Sequence, residues 1–151
     1  MAALATIRSD VHEDERPRIE HPSSQSQASR VVLLVDDSRL LRESIAARMR
    51  FEGHAVFEAC CFTEAVAFLE THSVDIVLSD HDLGDRFHTG FDVLSYARQR
   101  RPSARRFLMS GTIHPHGEDA LYEAFIMKPF TFKELASRVF PPTVKATGLS
   151  R

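Results

Sequence analysis

Short apolar runs alternate along the chain with longer segments of helical periodicity. Residues 31–35, VVLLV, are a continuous apolar run of strand length, which is typical of a strand covered on both faces. Leu41, Ile45 and Met49 then recur at four-residue spacing, which predicts an amphipathic helix. We expect Gly53 to end that helix. The same alternation continues to about residue 140, so the pattern predicts five strand–helix units.

The remaining elements follow from the same pattern. Further strands are predicted at 54–59, 74–79, 106–110 and 124–127, and further helices at 63–70, 91–100, 117–124 and 131–140. Thr63 is the expected cap of the second helix, and Thr131 with Glu134 has capping-box spacing at the last one. Strands joined through helices run parallel, and a parallel sheet is covered on both faces. The predicted fold class is therefore α/β, a doubly wound five-stranded parallel sheet with strand order 2-1-3-4-5.

The two ends of the chain lack this pattern. Residues 1–29 are polar, mixed in charge and without a sustained period, so we expect a flexible N-terminal tail. The proline pair that starts residues 141–151 predicts a C-terminal tail. The expected folded domain covers residues 30–140.

Composition narrows the classes of partner. The net charge of −2 gives no general attraction to nucleic acid or to an anionic membrane. No apolar run is long enough to cross a bilayer, and the N-terminus lacks a signal-peptide pattern. Adjacent Cys60 and Cys61 bridge each other only with strain, so we expect reduced thiols in a cytoplasmic protein.

Chemically active side chains follow four of the predicted strands. Asp36 and Asp37 end the first strand, Asp80 the third, Ser110 the fourth and Lys128 the fifth. The carboxyl ends of parallel strands lie at one edge of a sheet, and strands 1 and 3 are neighbours in the predicted order. We therefore expect the three aspartates to converge on one site, with Ser110 and Lys128 beside them.

Three converging carboxylates are costly unless a cation joins them or some are protonated. Hard oxygen ligands at an open site suit Mg²⁺. Helix capping explains Asp37 or Ser38 alone, but it explains too little of the whole set. An aspartate in such a site can attack phosphorus and form an acyl phosphate, while Mg²⁺ and a lysine neutralise the phosphoryl oxygens.

The motifs together resemble the response-regulator receiver domain of two-component signalling. They are LLVDDS, the aspartate after VDIVLS, the serine in LMSGT and the Lys-Pro pair in FIMKPF. The resemblance covers about residues 31–140 and implies a flavodoxin-like receiver fold. It also implies a signalling receiver that catalyses only its own phosphorylation and dephosphorylation, rather than an enzyme with a separate substrate.

The resemblance implies a role for each residue of the set. Asp80 is the implied phosphoacceptor. The implied Mg²⁺ ligands are Asp36, Asp37, Asp80 and the backbone carbonyl of Asp82. The implied phosphoryl-binding residues are Ser110 and Lys128, and the implied switch residues are Ser110 and Phe125.

The partners implied by the resemblance are proteins. A histidine kinase or histidine phosphotransfer protein would supply the phosphoryl group, and an unidentified downstream protein would receive the signal. The tails leave no room for an output domain, so we expect a stand-alone receiver, with a homodimer as an open alternative.

The chain departs from the family pattern in two loops. Gly84 stands where the family usually has a proline, and the stretch from Asp80 to Gly90 is longer than usual. The stretch from Ser110 to Lys128 is shorter than usual, which predicts a shortened fourth helix.

Two other functions remain open from the sequence. SDHDLG resembles the D-x-D start of haloacid-dehalogenase-type phosphatases, which favours a small aspartate-nucleophile phosphatase with Asp82 as general acid/base. The order of the motifs argues against it, because that family places its metal-binding acids late. The third hypothesis is a binding module that works without phosphorylation.

Overall fold

Five parallel strands form one sheet in the order β2-β1-β3-β4-β5, as predicted. The computed structural model describes residues 28–112 and 120–142. The strands are β1 Val31–Val35, β2 Ala55–Ala59, β3 Ile76–Asp80, β4 Arg105–Ser110 and β5 Ala124–Met127. The helices in the described ranges are α1 Arg39–Phe51, α2 Phe62–Thr71, α3 Gly90–Arg100 and α4 Phe132–Val139.

The central strand β1 is apolar throughout because both of its faces are covered. Val32 and Leu34 pack in one core cluster with residues of α1 and α4. Leu33 and Val35 point to the opposite face and pack with residues of α2 and α3 in a second cluster, the α2/α3 core cluster. All four side chains are fully buried, so alternate residues of β1 supply the two halves of the core.

Two predicted helix ends are confirmed. The chain leaves α1 through Gly53, whose φ of 95° lies in the left-handed region that favours glycine. At α4, the Glu134 N–H donates to Thr131 Oγ1, and the Glu134 carboxylate accepts from the Thr131 N–H. This reciprocal pair is the predicted capping box.

The prediction that Thr63 caps α2 is wrong. The helix begins at Phe62, and Cys61 is its N-cap residue. The Glu64 carboxylate accepts a hydrogen bond from the Cys60 N–H at 2.8 Å, which satisfies a backbone donor just outside the helix. The start of α2 is therefore stabilised by an acid in its first turn.

The predicted helix at 117–124 falls partly on residues 113–119, outside the described ranges. The second half of this prediction is wrong, because residues 120–123 are not helical. The Glu123 N–H donates to the Arg106 carbonyl at 2.7 Å, so this backbone already continues the pairing of β4 with β5. Tyr122 is buried, with its ring 6.3 Å from that of Phe91, so a side chain from an irregular segment contacts α3.

The predicted tails lie almost wholly outside the described residues, since only 28–29 and 141–142 of them are included. In the described ranges, no helix combines the length and apolar character needed to cross a membrane.

Candidate functional site

Three carboxylates meet at the carboxyl edge of β1 and β3. Asp36 follows β1 directly, Asp80 is the last residue of β3, and the two strands pair side by side. Carboxylate oxygens of Asp36, Asp37 and Asp80 lie within 4.8 Å of one another. Asp36 and Asp80 are buried and Asp37 is exposed. The convergence expected from the strand order is thus observed.

Lys128 lies between the two buried acids. Its Nζ is 2.9 Å from Asp36 Oδ2 and 3.1 Å from Asp80 Oδ2. The Lys128 N–H donates to the Ser110 carbonyl at 2.7 Å, which places the lysine at the end of β5, and the following bond to Pro129 is cis. One ammonium faces three carboxylates, so these side chains carry an excess of negative charge.

The two buried charges shift each other's protonation. Burial raises the pKa of Asp80 above its usual value, although the charge and hydrogen bond of Lys128 act in the opposite direction. Burial alone would lower the pKa of Lys128, but its hydrogen bond to Asp36 and the charges of both acids raise that pKa above the usual value. Lys128 is therefore protonated at neutral pH, and burial makes the charged form of Asp80 more costly than it would be in water.

Ser110 lies at the next strand end. Asp80 pairs with Met109 of β4, so Ser110 extends one residue beyond the acid. The buried Ser110 Oγ lies 2.9 Å from Thr112 Oγ1 and accepts a hydrogen bond from the Thr112 N–H at 3.1 Å. Phe125 of β5 pairs with Leu108 of β4 and is partly buried against the α2/α3 core cluster. Ser110 thus lies on β4, which pairs with β3, and Phe125 lies on β5, one strand further along the sheet.

Sequence reasoning missed Arg42, which holds the backbone of Asp36. Its Nη1 donates to the Asp36 carbonyl at 2.6 Å, and its Nε is 3.4 Å from Glu58 Oε2 on β2. The side chain of Arg42 is only 13% exposed, so the contact is shielded from water. The only signal in the sequence was an arginine in the first turn of an amphipathic helix, which usually lies in solvent.

Gly90 was also missed. A Cβ at this residue would lie 2.1 Å from the carbonyl oxygen of Asp80, and the Gly90 N–H donates to the His81 carbonyl at 2.8 Å. Only glycine allows the start of α3 to approach the end of β3 so closely. A glycine just before an amphipathic helix was a visible but unspecific signal.

The loop after β3 uses the Asp82 side chain for its own structure. Asp82 Oδ1 accepts a hydrogen bond from the Gly84 N–H at 3.0 Å. The Asp82 carboxylate does not belong to the group formed by the other three acids. This placement argues against the phosphatase hypothesis, which requires Asp82 as a general acid/base at the reacting centre.

Helix capping does not account for the acids. Ser38 is the N-cap residue of α1, but its side chain makes no capping hydrogen bond. The Ser38 N–H instead donates to Asp36 Oδ1 at 2.9 Å, which helps to orient that carboxylate.

A second group of possible metal ligands lies at the start of α2. One ligand atom from each of Cys60, Cys61 and Glu64 lies within 4.8 Å of the others. Both cysteines are free, and the hydrogen bond to Glu64 is the main cause that raises the pKa of the Cys60 thiol. Metal binding requires the thiolate, so this group is a poorer cation site than the three aspartates.

Four histidines follow β3 and β4 in the sequence. Two of them contact other side chains, and two lie outside the described residues. The His81 ring meets Phe91 edge-on at 4.8 Å. His88 stacks on Phe62 at 4.1 Å, and its Nδ1 is 2.7 Å from Asp85 Oδ2. His114 and His116 fall in the range 113–119, outside the described residues.

The three-acid group fits Mg²⁺ by its chemistry. All of its ligand atoms are carboxylate oxygens, and Mg²⁺ uses one or a few carboxylates together with water. The exposed Asp37 leaves one side of the group open, and the excess negative charge favours a divalent cation.

Comparison with known proteins identifies the family. Residues 32–140 match the model of the response regulator receiver domain. Sensor kinase CckA of Brucella abortus is 31% identical over 121 residues, which cover 74% of this chain and 12% of CckA. The transcriptional regulatory protein PdtaR of Mycobacterium tuberculosis is 29% identical over 120 residues, 76% of this chain and 58% of PdtaR. The chain therefore spans only part of the length of these relatives.

Solved structures show the same fold. Response regulator protein TrrA of Thermotoga maritima, solved in complex with Mg²⁺-BeF, has a TM-score of 0.66 at 23% identity, over 73% of this chain and 96% of that one. Chemotaxis response regulator CheY4 of Vibrio cholerae has a TM-score of 0.65 at 23% identity, over 74% of this chain and 99% of that one. With its family match, strand order and acidic site, this chain belongs to the response regulator receiver domain family of two-component signalling.

Proposed function

We propose that this receiver accepts a phosphoryl group on Asp80, in a Mg²⁺-dependent reaction, and signals through protein–protein contacts. The observation that carries the proposal is the placement of Asp80, which closes β3 beside two further acids and contacts Lys128 at 3.1 Å. A lone buried acid would be a weak candidate. An acid within reach of both a cation site and a fixed lysine has the surroundings that phosphoryl transfer needs.

In the proposed reaction an Asp80 carboxylate oxygen bonds to phosphorus as the bond from phosphorus to the donor's imidazole nitrogen breaks. The electron pair of the broken bond stays on the imidazole, and the product on the protein is an acyl phosphate. Burial withholds water from the Asp80 carboxylate, which leaves it less solvated as a nucleophile. Lys128, 3.1 Å from Asp80 Oδ2, would neutralise one phosphoryl oxygen, and the hydroxyl of Ser110, at the end of the neighbouring strand, would bind another.

Asp36, Asp37, Asp80 and the backbone carbonyl of Asp82 would hold Mg²⁺. When bound, this ion supplies positive charge to the phosphoryl oxygens. Asp36 is oriented for that role by the Ser38 N–H, by Lys128 and, through its backbone, by Arg42.

We assign the donor to a histidine kinase or a histidine phosphotransfer protein of the cytoplasm. Ser110 and Phe125 lie on adjacent strands, which is a suitable arrangement for passing a change at Asp80 to the surface around β4 and β5. The downstream receiver of the signal would be a protein that binds this surface, or a second copy of the chain.

The experiment is modification by acetyl phosphate. Incubation with acetyl phosphate and Mg²⁺ should raise the mass of the intact protein by one phosphoryl group. Chelation of the metal should prevent this addition. Asp80→Asn should abolish the modification. Asp85→Asn, which alters an exposed carboxylate of the same loop outside the three-acid group, should leave it intact.

Two results would contradict the proposal. Equal modification of wild type and Asp80→Asn would remove Asp80 as the acceptor. An unmodified wild type that also gives no response to beryllofluoride would favour the phosphorylation-independent binding module.

A further inference from the structure

Gly84 passes directly against the carboxylate of Asp37. A Cβ added to Gly84 would lie 2.9 Å from Asp37 Oδ2, a separation that real Cβ atoms hardly ever show. The φ of Gly84 is 64°, in the left-handed region that side chains disfavour. The proline usual at this position in the family cannot adopt this φ, so the loop of this chain follows a different path past the acid.

The neighbours of Gly84 hold the loop in this position. The Gly84 N–H donates to Asp82 Oδ1 at 3.0 Å, which closes a tight turn around the intervening residue. That residue, Leu83, is 4% exposed and packs in the α2/α3 core cluster. If the loop moved away from Asp37, Leu83 would become exposed and the hydrogen bond between Gly84 and Asp82 would be at risk. A side chain at position 84 is therefore expected to displace the Asp37 carboxylate rather than the loop.

The position of the Asp37 carboxylate is more sensitive to a side chain at residue 84 than the positions of the other two acids are. Asp36 and Asp80 are buried and both contact Lys128. Asp37 is exposed, and no hydrogen-bond donor in the described ranges reaches its carboxylate. The orientation of this third acid is set by what packs against it.

We propose that Gly84 is a positioning residue of the metal site. Its missing side chain lets Asp37 share a cation with Asp36 and Asp80 while the loop that carries the Asp82 carbonyl stays close. The inference rests on the proposed function, because it takes Mg²⁺ as the ion of this site.

The experiment is a Mg²⁺ titration followed by backbone amide chemical shifts, which measures binding without phosphorylation. Gly84→Ala adds a Cβ and backbone strain, whereas Gly84→Asn adds a Cβ in a residue that tolerates left-handed φ better. Gly53→Ala is the matched control. Gly53 also has a positive φ, of 95°, but an added Cβ there would meet nothing within 4 Å.

We expect both Gly84 variants to weaken Mg²⁺ binding about tenfold or more, as changes around metal ligands commonly do. Gly53→Ala should bind Mg²⁺ like wild type, although it also places a side chain at a positive φ. Amide shifts outside the site should show that the Gly84 variants keep the fold, and if the alanine variant does not fold, the asparagine variant decides.

Wild-type affinity in the folded Gly84 variants would overturn the positioning role and leave the proposed function standing. Unfolding of both variants would also overturn it, because Gly84 would then serve the stability of the fold. Absence of Mg²⁺ binding to wild type would instead contradict the metal site of the proposed function, and the inference with it.

Discussion

At the scale of single residues, the site combines one buried cation with acids that differ in their solvation. Lys128 contacts Asp36 and Asp80, whereas Asp37 is exposed and its Oδ2 lies only 2.9 Å from where a Cβ on Gly84 would be. The convergence of Asp36, Asp80 and Lys128 could be predicted from the sequence, since each follows an apolar run at a strand end. The contact with Gly84 could not, because it depends on the path of a loop that carries no periodic pattern.

The raised pKa of Asp80 gives a prediction for the metal-free protein. A group whose pKa is higher in the folded state stabilises the fold below its ordinary pKa, and this contribution is lost as the pH rises through the folded-state pKa. Burial raises the pKa of Asp80, so its charged form costs stability at neutral pH. Asp80→Asn, with a chelator present, should therefore unfold at higher urea concentration than wild type at pH 7. The difference should shrink towards about pH 4, near the ordinary pKa of an aspartate.

Urea unfolding of both proteins at several pH values measures this difference. A variant less stable than wild type at pH 7, or a stability difference that does not change with pH, would show that the buried charge of Asp80 does not destabilise the folded protein.

At the scale of elements, the strands were the most predictable part of the fold. The run VVLLV marks β1 with the observed bounds, because a strand covered on both faces needs apolar residues on both. The apolar run AFIM also marks the bounds of β5, although this edge strand is only partly buried. The structure of the region between β4 and β5 was harder to predict. Leu121 and Tyr122 fit a short helix in the sequence, but both pack in the α2/α3 core cluster from a segment whose Glu123 is already paired with β4.

Thr131 gives a prediction for α4. Thr131→Ala should lower the free energy of unfolding by about 1 kcal/mol, because the Glu134 N–H loses the hydroxyl that accepts its hydrogen bond. Ser137→Ala on the same helix is the control. Its exposed hydroxyl only bonds the Glu134 carbonyl within the helix, and alanine has the higher helix propensity. Chemical denaturation of the two variants checks the comparison, and equal destabilisation would argue against the capping box.

Arg42 gives a prediction for the junction of α1 with β1. Arg42→Met keeps an apolar stem but removes the donor to the Asp36 carbonyl, which should cost about 1–3 kcal/mol. Mg²⁺ binding should weaken as well, since Asp36 loses a restraint. Arg39→Met on the same helix breaks an exposed pair with Glu43, so it should change the stability of the fold very little.

Urea unfolding and a Mg²⁺ titration of the two arginine variants separate these effects. If Arg42→Met matched Arg39→Met in both measurements, Arg42 would have no part in holding Asp36.

At the scale of the whole molecule, the order of the strands explains why distant residues share one site. Asp36 and Lys128 lie far apart in sequence, yet β1, β3, β4 and β5 are consecutive in the sheet and present their carboxyl ends at one edge. This is why the site could be predicted from alternation and strand-end chemistry alone. Sequence pattern could not reveal side chains such as Arg42 and Glu58, because their pairing depends on how α1 packs beside β2.

The central claim is that Asp80 accepts a phosphoryl group within a Mg²⁺ site formed with Asp36 and Asp37. The most direct measurement is the amide spectrum of the protein with Mg²⁺ and beryllofluoride, a phosphoryl mimic. We expect shifts around Asp80, Ser110, Phe125 and Lys128 in wild type, and their loss in Asp80→Asn. An unchanged wild-type spectrum, or the same shifts in Asp80→Asn, would contradict it.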